Sequence, residues 1–236
     1  MNYAAILAGG QGTRMGGDLP KQFLPIHGTP ILIHTVRQFV TCEAIDRIAL
    51  CVPAAYIDYT EELLDASPDL RGKADVIQGG ADRTGSLENA CAFFGRRTLI
   101  GENDILITHD CVRPFVSHEM ILSSIQTARQ YGGATAAIPS VDTICISADG
   151  TVIDSVPDRA TLYSVQTPQT FRMKEFCEIL HSLTDEEKRR VTDASAVLRL
   201  RGHKVAISTG SPSNIKITHP SDLPMAEAIF HSIYHL

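Results

Sequence analysis

Four stretches of the chain carry residue types suited to phosphate chemistry, three of them at the end of an apolar run. The first, "YAAILAGGQGTRMGGDLPKQF" at 3–23, contains five glycines, Arg14 and Lys21. Residues 3–8 read as a short buried strand, because a continuous apolar run stopped by Gly-Gly suits a sheet interior. Glycines let the backbone aim its N–H groups at one point, and Arg14 and Lys21 add fixed positive charge there, which describes an anion site. "GGADRTGSL" (79–87) follows a strand ending at Gln78, so its glycines and Ser86 can approach a flat base or a ribose closely. "ILITHDCVRPF" (105–115) delivers Asp110 at a strand end, where a carboxylate could hold Mg²⁺ against phosphate oxygens. Arg113 is placed to clamp either that aspartate or a substrate phosphate, and an internal Asp110–Arg113 ion pair is the structural alternative. "SNIKITHPSDL" (213–223) puts Lys216 in a short alternating strand, pointing opposite to Ile215 and Ile217, although a surface lysine would look the same.

Spacing separates the phosphate-loop types. A Walker loop needs G-x-x-x-x-G-K-[ST], and the first stretch has no Gly-Lys pair. A dinucleotide fingerprint needs G-x-G-x-x-G running into a helix. Here the third glycine arrives one residue late, at Gly16, and Pro20 and Pro25 forbid the long helix that should follow. A wide loop around a nucleoside triphosphate, with cations over the phosphates, is the reading left, against a merely flexible glycine turn.

These groups need a scaffold large enough to hold them. The chain has 236 residues, 44% of them apolar, enough for one sizeable core. A net charge of -6 argues against a broad nucleic-acid or anionic-membrane surface, so the basic residues of the glycine loop are a local feature. With no long apolar stretch and no signal-peptide pattern, a cytoplasmic protein is expected. Six cysteines are scattered without a C-x-x-C pair, which suggests neither a zinc site nor a disulfide framework. His231 and His235 could share a helix face near the C-terminus, but no H-E-x-x-H pattern accompanies them, and a frayed surface helix end is the simpler reading. No G-x-S-x-G elbow supports a serine hydrolase.

Strand and helix patterns alternate. Thr29-Pro30 caps a helix carrying Ile31, Leu32, Val36, Phe39 and Val40, and strands follow at 47–52, 74–78, 104–108 and 134–138. Helices fall between them at 56–66, 86–96 and 118–131. This alternation predicts an α/β fold with a mostly parallel sheet covered on both faces and ligands at the C-terminal strand ends. The rhythm breaks at about 141–169, where "TICISADGTVIDSVP" reads as a β-hairpin turning at Ala148-Asp149-Gly150. Such a hairpin is expected to project as an arm whose Ile144, Ile146, Val152 and Ile153 are covered by a second subunit; folding back on its own domain is the alternative.

"ILAGGQGTRMG…PKQFLPI", "GGADRTGS", "THDCVRPF", Asp142-Thr143, "QTPQTF" and "NIKIT" occur in the order seen in the cytidylyltransferases that activate alditol phosphates. Each motif alone is weak, but together they span nearly the whole chain, and the sequence resembles that family. The first loop, "YSVQTPQTFRMKEF" and "LTDEEKRRVTDAS" resemble the branch acting on ribitol 5-phosphate more than the branch acting on methylerythritol phosphate, whereas Ser164-Val165 departs from the Gln-Gly of the ribitol branch.

The resemblance implies a single Rossmann-like nucleotidyltransferase domain over 1–236, with the arm reaching a partner chain in a homodimer. The implied substrates are CTP and an alditol phosphate, with Mg²⁺ as cofactor. Arg14, Lys21 and Lys216 would stabilise the charge of the reacting phosphates. Leu7, Ala8, Gly9, Gly10, Gly12, Thr13, Gly80, Ala81, Ser86, Asp110 and Cys111 would contact the nucleotide, and Asp110 would coordinate the metal. Arg113, Thr143, Arg159 and Thr167 would take the acceptor; Thr167 could equally just precede Pro168 in an extended turn. Asp193 is read as the cap of a helix at 194–201 rather than as a site residue. Base preference follows from the resemblance alone. A nicotinamide-dependent oxidoreductase and a nucleotide-binding module without transfer remain as readings from other classes.

Overall fold

The computed structural model describes residues 1–10 and 19–234. Its strands are β1 (Asn2–Leu7), β2 (Pro25–Ile26), β3 (Thr29–Pro30), β4 (Arg47–Val52), β5 (Asp75–Gln78), β6 (Ile105–Asp110), β7 (Gly133–Pro139), β8 (Tyr163–Arg172) and β9 (Ala206–Thr209). The helices are α1 (Ile31–Val40), α2 (Ile57–Asp65), α3 (Arg83–Arg97), α4 (His118–Tyr131), α5 (Met173–His181), α6 (Asp185–Arg190), α7 (Ala194–Arg199) and α8 (Asp222–Tyr234). Seven strands form one sheet in the order β5-β4-β1-β6-β8-β7-β9, while β2 and β3 pair as a separate hairpin. Only β8 runs against the others in the large sheet.

The apolar runs are continuous because both faces of the sheet are covered. Within β1, Ala4 and Ile6 face a core shared with α1, α4 and α8, and Tyr3 and Ala5 face a second core shared with α3, α5 and α7. The chain leaves β1 for β4 and β5 on one side and returns to place β6 on the other. The sheet order therefore reverses between β1 and β6, and a crevice opens at their C-terminal ends. Helix α4 shows how locally the sequence sets its elements. Ser117 accepts a hydrogen bond from the Met120 N–H at 3.2 Å to cap its start, and Gly132 ends it at φ 87.

Several expectations need correction. Helix α1 begins at Ile31 with Pro30 at its N-cap and no side-chain cap, because Thr29 and Pro30 pair with β2 instead. Helix α3 begins at Arg83, earlier than the apolar periodicity indicated, because Asp82 caps it through the Gly85 N–H at 2.8 Å. The segment around Lys216 is irregular rather than a strand, although Ile217 is buried and Lys216 is not.

The exposed arm is shorter than the expected 141–169, since β8 starts at Tyr163 and pairs with β7 and then β6 inside the sheet. Pro168 concealed this strand, because proline in a central strand removes a ladder donor. Here the β7–β8 register shifts opposite Ala136, and residues 166–168 occupy that irregularity. Within the arm, the N–H of Ile146 donates to Ser155 at 2.8 Å and Gly150 turns at φ +75, so a hairpin turn is present with one bridge rather than a long ladder. Val141, Val152 and Ile153 stand 82%, 64% and 62% exposed. Among the described residues, no helix is long and apolar enough to cross a membrane. Five cysteines are buried, and Cys145 on the arm is exposed.

Candidate active site

A cleft of about 710 Å³ lies at the C-terminal ends of β1, β4, β5 and β6. Leu7, Gly9, Gly10, Lys21, Gly80, Ala81, Ser86, Asp110, Cys111 and Lys216 line it, and so does Arg83. Of the other expected contacts, Ala8 is buried behind the cleft, and its carbonyl accepts a 2.8 Å hydrogen bond from the Gln22 side chain. That bond ties the turn Lys21–Phe23 to the end of β1 and brings Lys21 to the rim. Arg14, Gly12 and Thr13 lie outside the described residues.

The floor of the cleft is Asp110, whose side chain is 7% exposed. Three cations converge on its carboxylate. Arg83 reaches one oxygen through Nη2; at the other, Lys216 Nζ lies at 2.9 Å and Arg113 Nε at 3.5 Å. Burial alone would push this carboxyl up, but the charges of Arg83, Lys216 and Arg113 outweigh it and hold Asp110 well below the usual carboxylate range. One negative charge thus organises three positive ones, and the surplus faces the cleft.

The cations come from three parts of the chain, each locally fixed. Arg83 is the first residue of α3, in a loop that only glycine can form: a Cβ on Gly80 would lie 2.3 Å from the Gly85 carbonyl carbon. Ser86 Oγ accepts from the Gly80 N–H at 3.0 Å and donates to the Asp82 carbonyl at 2.9 Å. Ser86, expected to approach the base or ribose, lines the cleft, and its hydroxyl also shapes this loop. Lys216 is located by its neighbours. The Ile217 N–H donates to the Val112 carbonyl at 2.9 Å, and the Asn214 side-chain amide donates to the Thr167 carbonyl at 2.8 Å.

Arg113 and Thr167, expected at the acceptor, lie beneath Asp110 instead. Arg113 donates to the Asn214 carbonyl at 2.8 Å as well as holding Asp110. Thr167 is buried, and its oxygen accepts from the Asp110 N–H at 3.1 Å. His109 completes this layer. Its Nε2 faces the Arg113 carbonyl at 3.1 Å and must carry the proton, and its Nδ1 faces Thr167 Oγ at 2.9 Å and must accept. Burial, which holds the His109 pKa down to about 4, keeps this neutral tautomer. Cys111 is no nucleophile, since burial pushes its thiol up to about 12.

Thr143 and Arg159 do not reach this cleft; both stand exposed on the arm, where Arg159 Nη1 donates to the Val141 carbonyl at 3.3 Å. Asp193 caps α7 through the Ala196 N–H at 2.9 Å, as its place before an apolar helix indicated. The residue that sequence reasoning missed is Arg83. Its signal was a lone cation beside a helix-capping aspartate, inside a motif valued for its glycines.

Over residues 3–232 the chain matches the family described as IspD, 2-C-methyl-D-erythritol 4-phosphate cytidylyltransferase. It is 42% identical over 231 residues to a ribitol-5-phosphate cytidylyltransferase of Streptococcus pneumoniae (strain ATCC 700669 / Spain 23F-1), covering 97% of this chain and 98% of that one. Among solved structures, a 4-diphosphocytidyl-2C-methyl-D-erythritol synthase superposes with a TM-score of 0.80 at 25% identity, covering 97% of this chain and 99% of the other. The enzyme of that name from Anaerococcus prevotii DSM 20548 gives a TM-score of 0.77 at 28% identity over 98% of both chains.

Proposed function

The chain belongs to the 2-C-methyl-D-erythritol 4-phosphate cytidylyltransferase family, and on that premise we propose that it transfers a cytidylyl group from CTP to D-ribitol 5-phosphate. The observation that carries the chemistry is the convergence of Arg83, Arg113 and Lys216 on Asp110 at the floor of the cleft, with Lys21 at its rim. An oxygen of the acceptor phosphate forms a bond to the α-phosphorus of CTP, the bond from that phosphorus to the β-phosphate oxygen breaks, and pyrophosphate leaves. No protein nucleophile takes part. Lys216 neutralises charge at the α-phosphate, while Lys21 and Arg14 hold the departing pyrophosphate. Arg83 and Lys216 exchange part of their hold on Asp110 for phosphate oxygens. The whole chain acts as one catalytic domain in the cytoplasm.

A carboxylate kept ionised at the cleft floor suits a divalent cation, because Mg²⁺ is commonly held by one or two carboxylates together with substrate phosphates. Asp110 would hold it. Bound there, Mg²⁺ supplies neutralisation of the triphosphate charge. The nearby Asp82 is already engaged in capping α3.

The acceptor assignment rests on the 42% identity to the ribitol enzyme, against 25% and 28% to the two solved methylerythritol enzymes. Methylerythritol 4-phosphate is the second reading, favoured by the family match. The arm supports a homodimer in which Thr143 and Arg159 reach the acceptor phosphate in the partner's cleft. They stand outside their own cleft, on the arm that also exposes Val141, Val152 and Ile153.

Incubation with CTP, Mg²⁺ and either acceptor, followed by pyrophosphate detection, tests the assignment. Release with ribitol 5-phosphate supports it, and release only with methylerythritol phosphate moves it to the second reading. Nucleotide binding with no release on either acceptor would reduce the protein to a binding module.

A further inference from the structure

Away from the cleft, the turn between β2 and β3 meets the C-terminal helix. His27 and Gly28 form this turn with φ values of 47 and 74. Such a turn accepts Asn-Gly most readily, so the imidazole is not required by the backbone. The His27 N–H donates to the Glu227 carboxylate at 2.8 Å. Its ring stacks on Phe230 at 5.1 Å between centroids and meets the ring of His231 edge-on at 5.3 Å. Glu227 and His231 stand one helical turn apart on α8, so they share a face toward the hairpin. The ligand atoms of His27, Glu227 and His231 all lie within 4.8 Å of one another, and no other group of His, Cys, Asp or Glu among the described residues meets that criterion.

We propose that His27, Glu227 and His231 form a surface site for a divalent transition metal, best matched by Zn²⁺. Two imidazole nitrogens and one carboxylate oxygen, with water in the fourth position, make a tetrahedral zinc set. Ligand bonds of about 2.0 to 2.2 Å place such atoms closer together than 4.8 Å, so the side chains must draw in on binding. His27 and His231 are exposed and can do so without repacking the core. Imidazole donors select against Mg²⁺, which keeps this site chemically separate from Asp110. A bound ion would fasten α8 to the β2–β3 hairpin, the element that directly follows the turn carrying Lys21.

The test is calorimetric titration with ZnCl₂ of tag-free, chelator-treated protein carrying Cys145→Ser, which removes the one exposed thiol. One zinc ion per chain is expected, undisplaced by excess Mg²⁺. Affinity should fall at least about tenfold in His231→Ala, in Glu227→Gln and in His27→Asn, the last of which keeps the left-handed turn. Visible absorption of the Co²⁺-loaded protein, read alongside, should show a tetrahedral band that the variants lose. Absence of saturable zinc binding, or an unchanged isotherm in His231→Ala and His27→Asn, would overturn the proposal.

Discussion

The Nζ of Lys216 lies 2.9 Å from Oδ2 of Asp110, joining the irregular segment before α8 to the end of β6. The lysine shares that one carboxylate with Arg83 and Arg113. In the proposed reaction a triphosphate entering the cleft would compete for Lys216, and the same pairing that orders the cleft would position the cation for chemistry.

Arg83 shares that arrangement from the opposite wall. Arg83→Gln should lower kcat by about 100-fold or more, by analogy with the loss of one charge-stabilising donor, with a smaller change in KM. Arg83→Lys should not restore it, because a point charge cannot reproduce the guanidinium fork. Steady-state kinetics on both variants checks this.

The two glycine loops should respond oppositely to alanine. Among the described residues, a Cβ at Gly10 meets nothing within 4 Å, whereas one at Gly80 lies 2.3 Å from backbone. Gly10→Ala should keep stability within about 0.5 kcal/mol. Gly80→Ala should destabilise by at least about 2 kcal/mol and weaken CTP binding, because the Gly79–Asp82 turn must shift and carry Arg83 with it. Denaturant unfolding of the two variants separates these outcomes.

Acid should weaken the fold in two stages. His109 has its pKa lowered from 6.5 to about 4 by burial, so below pH 6.5 the unfolded chain takes up a proton that the native state refuses. Its contribution is complete above pH 6.5 and declines by about 3 kcal/mol as pH falls toward 4. His34, also held down by burial, adds a loss of the same sign. The depressed Asp110 carboxyl contributes fully above its unfolded value of about 3.9 and is lost only under stronger acid. Unfolding free energies from pH 7 to 4 should therefore flatten in His109→Gln; an unchanged slope would remove His109 from the account.

Much of this layout could be read from the residues. The strand ends that carry Leu7, Gln78 and Asp110 were visible because parallel strands buried on both faces are continuously apolar and stop at polar motifs. Gly80 and Ser86 were legible in this loop, but the bonds by which the Ser86 hydroxyl shapes it were not, since they depend on local geometry. Arg83 escaped because its partner, Asp110, is remote in sequence, and pairing across the sheet leaves no periodic trace. Strand β8 escaped because Pro168 speaks against a strand unless a bulge absorbs it. The His27–Glu227–His231 cluster was hidden for a similar reason: Glu227 and His231 on one helix suggested nothing until the hairpin supplied the third group, and His235 lies outside the described residues.

The arm makes a separate prediction. Val152→Asp combined with Ile153→Asp should convert the proposed dimer to a monomer by light scattering, because charge at 64% and 62% exposed positions harms an interface but not the fold. Activity should fall with the dimer, while thermal stability of the separated chain should change little.

The central claim is that positive side chains gathered around Asp110 stabilise the reacting phosphates. Turnover of Lys216→Ala with CTP, Mg²⁺ and ribitol 5-phosphate tests it most directly. A fall of about 100- to 1000-fold in a variant that is still folded at the assay temperature is the predicted result. Turnover within about threefold of wild type would contradict it, since that is the scale of a surface ion pair worth under about 1 kcal/mol.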